Sequence, residues 1–597
     1  MANWVIVAKK ADFDEIGREF GISPVLARLI RNRDIIEKVD IKKYLYGTID
    51  DLYDPFLLKG MREAAAILAD KIAAQAPLRV IGDYDVDGVC AAYILHKGLS
   101  SLDAAVDAVL PHRMKDGYGL NENLVSEAAA AGIDTIITCD NGISAVPQIA
   151  LAKEKGLTVI VTDHHEAPFA AGEERAYQLP PADAIIDPKQ PGCPYPDKQI
   201  CGATVALKAV EALYGHLHKA MPEAMREEMR CLAGIATVCD VIPLRDENRL
   251  LVRYALANLK KCGNIGLKAL IEANGLADKE IKNHHIGFII GPCLNAAGRL
   301  ESAELGLSLL RATDAPTAMT LAAEVKELNE SRKALTEKGI AAAVALVEEQ
   351  RKEGALDAVL VLYLADCHES IAGIIAGRIR ERYHRPTFVL TDSEQGLKGS
   401  GRSIDAYNMH EELCKCAELF TNFGGHRQAA GLSMARENRE RFRQCLNENA
   451  SLTADDLVEQ VQIDIALPFP YATKQLVEEL DIMEPFGLGN RKPLFAQKEV
   501  SLLSGKVMGQ PGNTAKYRVA DSAGRQQEII YFGAEKITAF DDFLRDNFSA
   551  AQVERLYRAG GDREGLAPMK IKLAYCPSIN EYMGQRNVQL EMKHYGP

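Results

Sequence analysis

Three aspartates stand at every second position in Gly82-Asp83-Tyr84-Asp85-Val86-Asp87-Gly88, which ends the strand-like run Arg79 to Ile81. Alternation points the three side chains the same way if strand geometry persists. Like charges this close repel one another and call for a cation. A solvated turn would use the same residue types, and D-x-D-x-D-G also opens a calcium loop. That loop needs Glu six residues after the glycine, where this chain has Ile94. The calcium reading therefore falls, and binding of another metal is the reading kept.

Further acids and imidazoles follow other apolar runs. Thr135 to Thr138 leads into Cys139-Asp140-Asn141-Gly142, Leu157 to Thr162 into Asp163-His164-His165-Glu166, and Leu232 to Val238 into Cys239-Asp240. Each acid alone reads as a turn residue or a helix N-cap. Four successive segments delivering Asp or Asp-His to one edge read differently. Carboxylates with imidazole suit manganese or another divalent first-row ion. The ligands suffice for two ions sharing a carboxylate, and ions about 3.5–4 Å apart can activate water against a phosphate ester.

The elements that must position these residues are legible as texture. Short apolar runs at Leu78 to Ile81, Ala104 to Leu110, Thr135 to Thr138, Leu157 to Thr162 and Ala184 to Ile186 alternate with helical patterns such as Val89 to Leu99 and Leu124 to Ala131. That alternation predicts a parallel sheet covered by helices, with ligands at the carboxyl ends of its strands. Residues 315–352 read as one helix of roughly 55 Å, a strut between two domains. Strands at Ala358 to Leu364 and Thr387 to Leu390 flank a helix from Ile371 to Tyr383. Beyond Thr453, strand-like runs at Val461 to Leu467, Val500 to Lys506, Ala515 to Ala520, Glu528 to Phe532 and Met569 to Tyr575 predict a small barrel, with a turn at Gln510-Pro511-Gly512-Asn513.

At 597 residues with 47% apolar and 26% charged residues, the chain reads as several globular domains. No apolar run is long enough for a membrane span, and the start carries no secretory signal. A cytoplasmic protein is expected. Thirteen scattered cysteines fit free thiols in a reducing compartment better than a disulfide framework. The formal net charge of −13 argues against a generally basic nucleic-acid surface. A local one exists: Arg378 to Arg402 holds six Lys or Arg against three acids.

The Asp83 to Gly88 segment and Asp163-His164-His165 resemble the DHH phosphoesterase superfamily. So do Cys201-Gly202-Ala203-Thr204, Cys239-Asp240-Val241-Ile242-Pro243-Leu244 and Asn295-Ala296-Ala297-Gly298-Arg299. Gly399-Ser400-Gly401-Arg402-Ser403 and Gly424-Gly425-His426 resemble its DHHA1 partner domain. Glu484-Pro485-Phe486-Gly487-Leu488-Gly489-Asn490 resembles the entry to the OB domain of the RecJ family.

The resemblance implies an α/β fold: an N-terminal extension (1–50), a DHH catalytic parallel-sheet domain (51–314), a connecting helix (315–352), a DHHA1 α/β domain (353–452) and a C-terminal OB-like β-barrel that binds nucleic acid (453–597). It implies two divalent ions, manganese first and magnesium as the alternative. Asp83 would ligate one ion and Asp85 the other, Asp140 would bridge, and His164 and Asp240 would complete the second site. His165 would orient or polarise the scissile phosphate. Asp87 would stand behind the ligands or cap a helix. Arg113, Arg299, Ser400 and Arg402 would hold phosphate, the last two in a Gly-rich loop with Lys398 whose N–H groups cradle an anion. His426 would contact nucleic acid near the metals and share in catalysis. Tyr517, Tyr531, Phe532 and Tyr582 are stacking platforms to consider.

The implied activity is 5′→3′ hydrolysis of single-stranded DNA to 5′-mononucleotides in DNA repair and recombination. The implied protein is a monomer, with a helicase or a single-strand-binding protein as the partner to look for. Alternatives are a DHH/DHHA1 phosphodiesterase of short oligonucleotides or cyclic dinucleotides and a non-catalytic scaffold. The family often has Arg where this chain has Cys293, and Trp-His where it has Cys367-His368.

Overall fold

The computed structural model describes residues 2–113, 116–169, 177–394, 396–509, 512–558, 567–582 and 584–597. The chain divides into two compact units, residues 47–457 and residues 1–46 with 458–597.

In the first unit, five short strands form a wholly parallel sheet in the order Val106–Val109, Leu78–Ile81, Thr135–Cys139, Thr158–Thr162, Ala184–Ile186. The central strands are buried on both faces, hence their continuous Val, Ile and Thr. Helices Val86–Ser100 and Gly202–His216 pack on one face in the largest apolar core. Strand order reverses beside Leu78–Ile81, so the sheet opens a crevice between its carboxyl end and that of Thr135–Cys139. The run before Asp240 belongs to a helix, Glu223–Cys239, rather than to a strand.

The long helix spans Ala315–Glu353. Its first turns bury Ala318, Ala322 and Val325 in the core of the parallel-sheet domain. Its last turns bury Ala343 and Val347 against Leu360 and Ile371. There a second, mixed sheet runs Phe420–His426, Ala429–Met434, Gly396–Arg402, Thr387–Ser393, Leu360–Tyr363. The Gly-rich segment expected as a loop is the central strand Gly396–Arg402, paired on both sides. Its N–H groups are spent in the ladder, so no backbone cradle forms. Its glycines answer to packing instead: a Cβ at Gly401 would lie 2.6 Å from the Phe388 ring.

One cysteine pair departs from the expectation of free thiols. Cys416 and Cys445 form a disulfide, while eleven other cysteines are unbridged. The two residues flank the hairpin of Phe420–His426 and Ala429–Met434, and Cys416 lies in the core beside Phe442.

In the second unit, strands Phe495–Met508, Thr514–Ala520, Gln526–Phe532, Gln585–Gly596 and Met569–Tyr582 close into a barrel, the last pairing back on the first. Closure leaves these five strands no free edge. The segment expected as an extension over 1–50 supplies part of this unit through residue 46. Asn3–Ile6 pairs in parallel with Gln460–Ile463, and Leu26, Leu29, Ile30 and Ile41 share a core with Phe495, Met483 and Tyr575. Tyr517 and Tyr531 are buried against Phe540, so they are core residues rather than platforms. Phe532 is exposed. The Tyr582 side chain and Gln510-Pro511 lie outside the described residues. Among the described residues, no helix is long and apolar enough to cross a membrane.

Candidate metal centre and substrate cleft

The acids gather where the strand order reverses. Asp83 follows Leu78–Ile81, Asp140 follows Thr135–Cys139 and His164 follows Thr158–Thr162, while Asp240 arrives from the end of helix Glu223–Cys239. Ligand atoms of Asp83, Asp85 and Asp140 lie within 4.8 Å of one another; so do those of Asp140, His164 and His165, and those of Asp87, His164 and Asp240. His164 Nε2 is 3.0 Å from Asp140 Oδ1 and 3.7 Å from Asp240 Oδ2. Asp140 is thus common to two groups. Its backbone sits in the left-handed region at φ 61°, a conformation that functional sites tend to hold. Gly202 permits the close packing behind it, since a Cβ there would stand 2.7 Å from Asp140 Cβ.

Two of these acids also serve helix ends. Asp85 Oδ1 caps helix Val86–Ser100 by accepting from the N–H groups of Asp87 and Gly88. Asp87, buried, accepts from the N–H groups of Gly202 and Ala203 at 2.6 and 2.7 Å. It therefore anchors the N-terminus of a second helix, Gly202–His216, across the site.

Without a cation the carboxylates oppose each other. Burial, then the Asp85 charge, pushes Asp83 up to about 8. Burial and the charges of Asp87 and Asp85 raise Asp240 to about 8, and Asp140 is raised well above the ordinary range for the same reasons. Burial lowers His164 to about 3, leaving a neutral imidazole able to ligate. Crowded oxygens with a neutral imidazole are a donor set fitted to two divalent ions of the manganese type. Burial works against the His165 cation, but Asp163, 2.7 Å from its Nδ1, outweighs it and holds His165 up at about 9.

Beside the acids, a cavity of about 410 Å³ opens between the two sheets of this unit, lined by Tyr84, Arg113, Tyr118, Ser370, Lys398 and Ser400 among others. Burial lowers Arg299 to about 10, with the charges of Arg113, Arg332 and Arg402 adding to the effect, and burial and the Arg113 charge lower Arg402. Arg299 donates to the Ser370 carbonyl at 2.7 Å, joining the two domains. Lys398 is paired with Glu369 at 3.0 Å, and Arg378 with Glu381 on an exposed helix face. His426 is exposed and does not line this cavity; its neighbours are Gln428 and Arg402. Sequence reasoning missed two residues. Asp163 was read only as part of a motif, although its spacing two before His165 allows the contact. Tyr118, between two glycines, carried the signal of an exposed aromatic on a turn.

The doubly wound sheet, the acidic cluster at its switch point and the second mixed sheet define a phosphoesterase of the DHH/DHHA1 class. Family models agree: the DHH family N-terminal domain matches residues 77–236, the DHHA1 domain 356–451 and the RecJ OB domain 463–594. The chain belongs to the RecJ family. It is 38% identical to the single-stranded-DNA-specific exonuclease RecJ of Bacillus subtilis, over 96% of this chain and 68% of that one. It is 31% identical to the RecJ of Dickeya dadantii over 96% of each. The crystal structure of RecJ from Thermus thermophilus in complex with Mn²⁺ matches with a TM-score of 0.79 and 28% identity, over all of this chain and 79% of that one.

Proposed function

We propose that this chain is a metal-dependent exonuclease that hydrolyses single-stranded DNA from its 5′ end to 5′-mononucleotides, in DNA repair and recombination. The observation that carries the reading is Asp140, shared by two ligand groups at the switch point beside a cavity that Arg113 and Lys398 line. Asp83 would hold one ion and Asp85, His164 and Asp240 the other, with Asp140 reaching both and Mn²⁺ preferred on the donor set. Bound there, the ions supply an activated water and neutralise charge on the phosphoryl oxygens.

The chain's own residues do the rest. Arg113, Arg299, Ser400 and Arg402 hold the terminal phosphate, and guanidinium forks suit that dianion. A phosphate clamp on one side of the acids selects which end of the strand is cut. His165, kept protonated by Asp163, donates a hydrogen bond to the scissile phosphate. His426 contacts the strand beyond Arg402. The closed barrel gives a single strand a further surface. No P-loop is present, so unwinding falls to a helicase, with a single-strand-binding protein as a second partner. Eleven unbridged cysteines favour a cytoplasmic site of action.

Asp140→Ala tests the assignment. Hydrolysis should be abolished while single-strand affinity stays within severalfold; near-wild-type hydrolysis would overturn it.

A further inference from the structure

We infer that Tyr118 is the stacking platform for the base of the nucleotide released in each turnover. The inference rests on the proposed 5′ exonuclease reading of this site and names a residue contact that the reading does not.

Tyr118 is 52% exposed, yet it is fixed. Its hydroxyl donates to the Asp140 carbonyl at 3.2 Å and lies 3.2 Å from His165 Nε2. Its ring meets Tyr84 edge-on at 6.3 Å and His165 edge-on at 5.8 Å. Two T-shaped contacts and an anchored hydroxyl set the ring plane while about half of the residue stays exposed. The flanking glycines turn the chain at φ 79° and 63°, and a Cβ at Gly119 would lie 2.9 Å from Asn141 Cβ. The segment is therefore built to push this one side chain outward.

Its place in the cleft supplies the ligand. Tyr118 lines the 410 Å³ cavity with Arg113 and Ser400, and also a second cavity of about 240 Å³ with His165, Gln148 and Ser144. A nucleotide with its 5′-phosphate at Arg113 and its 3′-phosphate at the acids lies in the cleft that Tyr118 lines, since Tyr118 shares the cavity wall with Arg113 and its hydroxyl reaches the Asp140 carbonyl. The other aromatic rings lining the larger cavity are engaged: Arg113 stacks over Tyr84 at 4.6 Å, and Phe423 packs with Phe420 and His410. An aromatic face accepts any base, so such a platform holds the terminal nucleotide without imposing sequence preference.

The test crosses protein and substrate. Full-length wild type, Tyr118→Phe and Tyr118→Ala, all with Mn²⁺, are assayed on 5′-phosphorylated single strands. The strands are intact, or abasic at the first or at the second nucleotide. An abasic first nucleotide should raise the wild-type KM about 5- to 150-fold with kcat little changed. Tyr118→Ala should show a comparable loss on intact DNA and no further loss on the abasic end. Tyr118→Phe should recover most of the affinity. The inference is overturned if the two losses multiply, if only the second abasic position matters, or if Tyr118→Ala loses kcat with KM unchanged. Failure of the wild type to cut intact DNA would overturn the exonuclease reading itself.

Discussion

Oδ1 of Asp163 lies 2.7 Å from Nδ1 of His165 and also accepts the backbone N–H of His164 at 2.7 Å, while Oδ2 takes the N–H of Ile143 at 2.9 Å. One buried carboxylate thus orients the His165 imidazole and pins the backbone of His164 beside it. Removing such a partner typically costs about 10- to 100-fold in activity or metal affinity. Asp163→Asn should lower kcat within that range. Unchanged kcat and Mn²⁺ affinity would show that Asp163 only fills space.

The acidic cluster makes metal-free stability depend on pH with a definite sign. Asp83 and Asp240 hold protons up to about 8 in the folded chain, against about 4 when unfolded. Between those values the folded state binds more protons, so stability falls as pH rises. A bound cation removes the repulsion and releases those protons. The rise in Tm on adding Mn²⁺ should therefore be larger at pH 8 than at pH 6. Equal shifts at both values would contradict the picture.

Residues 1–46 matter to the barrel unit through a buried ion pair. Arg33 and Asp464 meet at 3.0 Å with side-chain exposures of 3% and 0%, and Arg33 also donates to the Leu29 and Arg491 carbonyls. Breaking one side of such a pair costs about 3–5 kcal/mol. Arg33→Ala should lower the melting of the unit formed by 1–46 and 458–597 while leaving residues 47–457 folded. A change of less than about 1 kcal/mol would mean that the pair behaves as a surface pair.

The catalytic domain was the most legible part of the chain. Period-two acids after β-branched runs betray strand ends, and the predicted strands Leu78–Ile81 and Ala184–Ile186 coincide with those observed. The Gly396–Arg402 strand was misread because glycine marks turns locally, whereas here the crowding of Phe388 and Leu390 demands it. The pairing of Asn3–Ile6 with Gln460–Ile463 was invisible, since no local pattern records a partner over 450 residues away. Strand Gln585–Gly596 escaped because its polar residues face outward and only Leu590 and Met592 are apolar and fully buried.

The Cys416–Cys445 bridge is open to direct counting. Denatured without reductant, the chain should alkylate at eleven cysteines, and at all thirteen after reduction. Thirteen in both cases would rule the bridge out. It closes a 29-residue separation, for which chain entropy gives about 3–4 kcal/mol. Cys445→Ser should lower stability by that order.

The central claim is metal-dependent attack on the 5′ end of a single strand. An end-labelled assay compares single-stranded with blunt duplex DNA, in Mn²⁺, in Mg²⁺ and with chelator. The account predicts mononucleotides released from the 5′ end of the single strand only, and only with metal. Release from the 3′ end, equal cutting of blunt duplex, or turnover in chelator would contradict it.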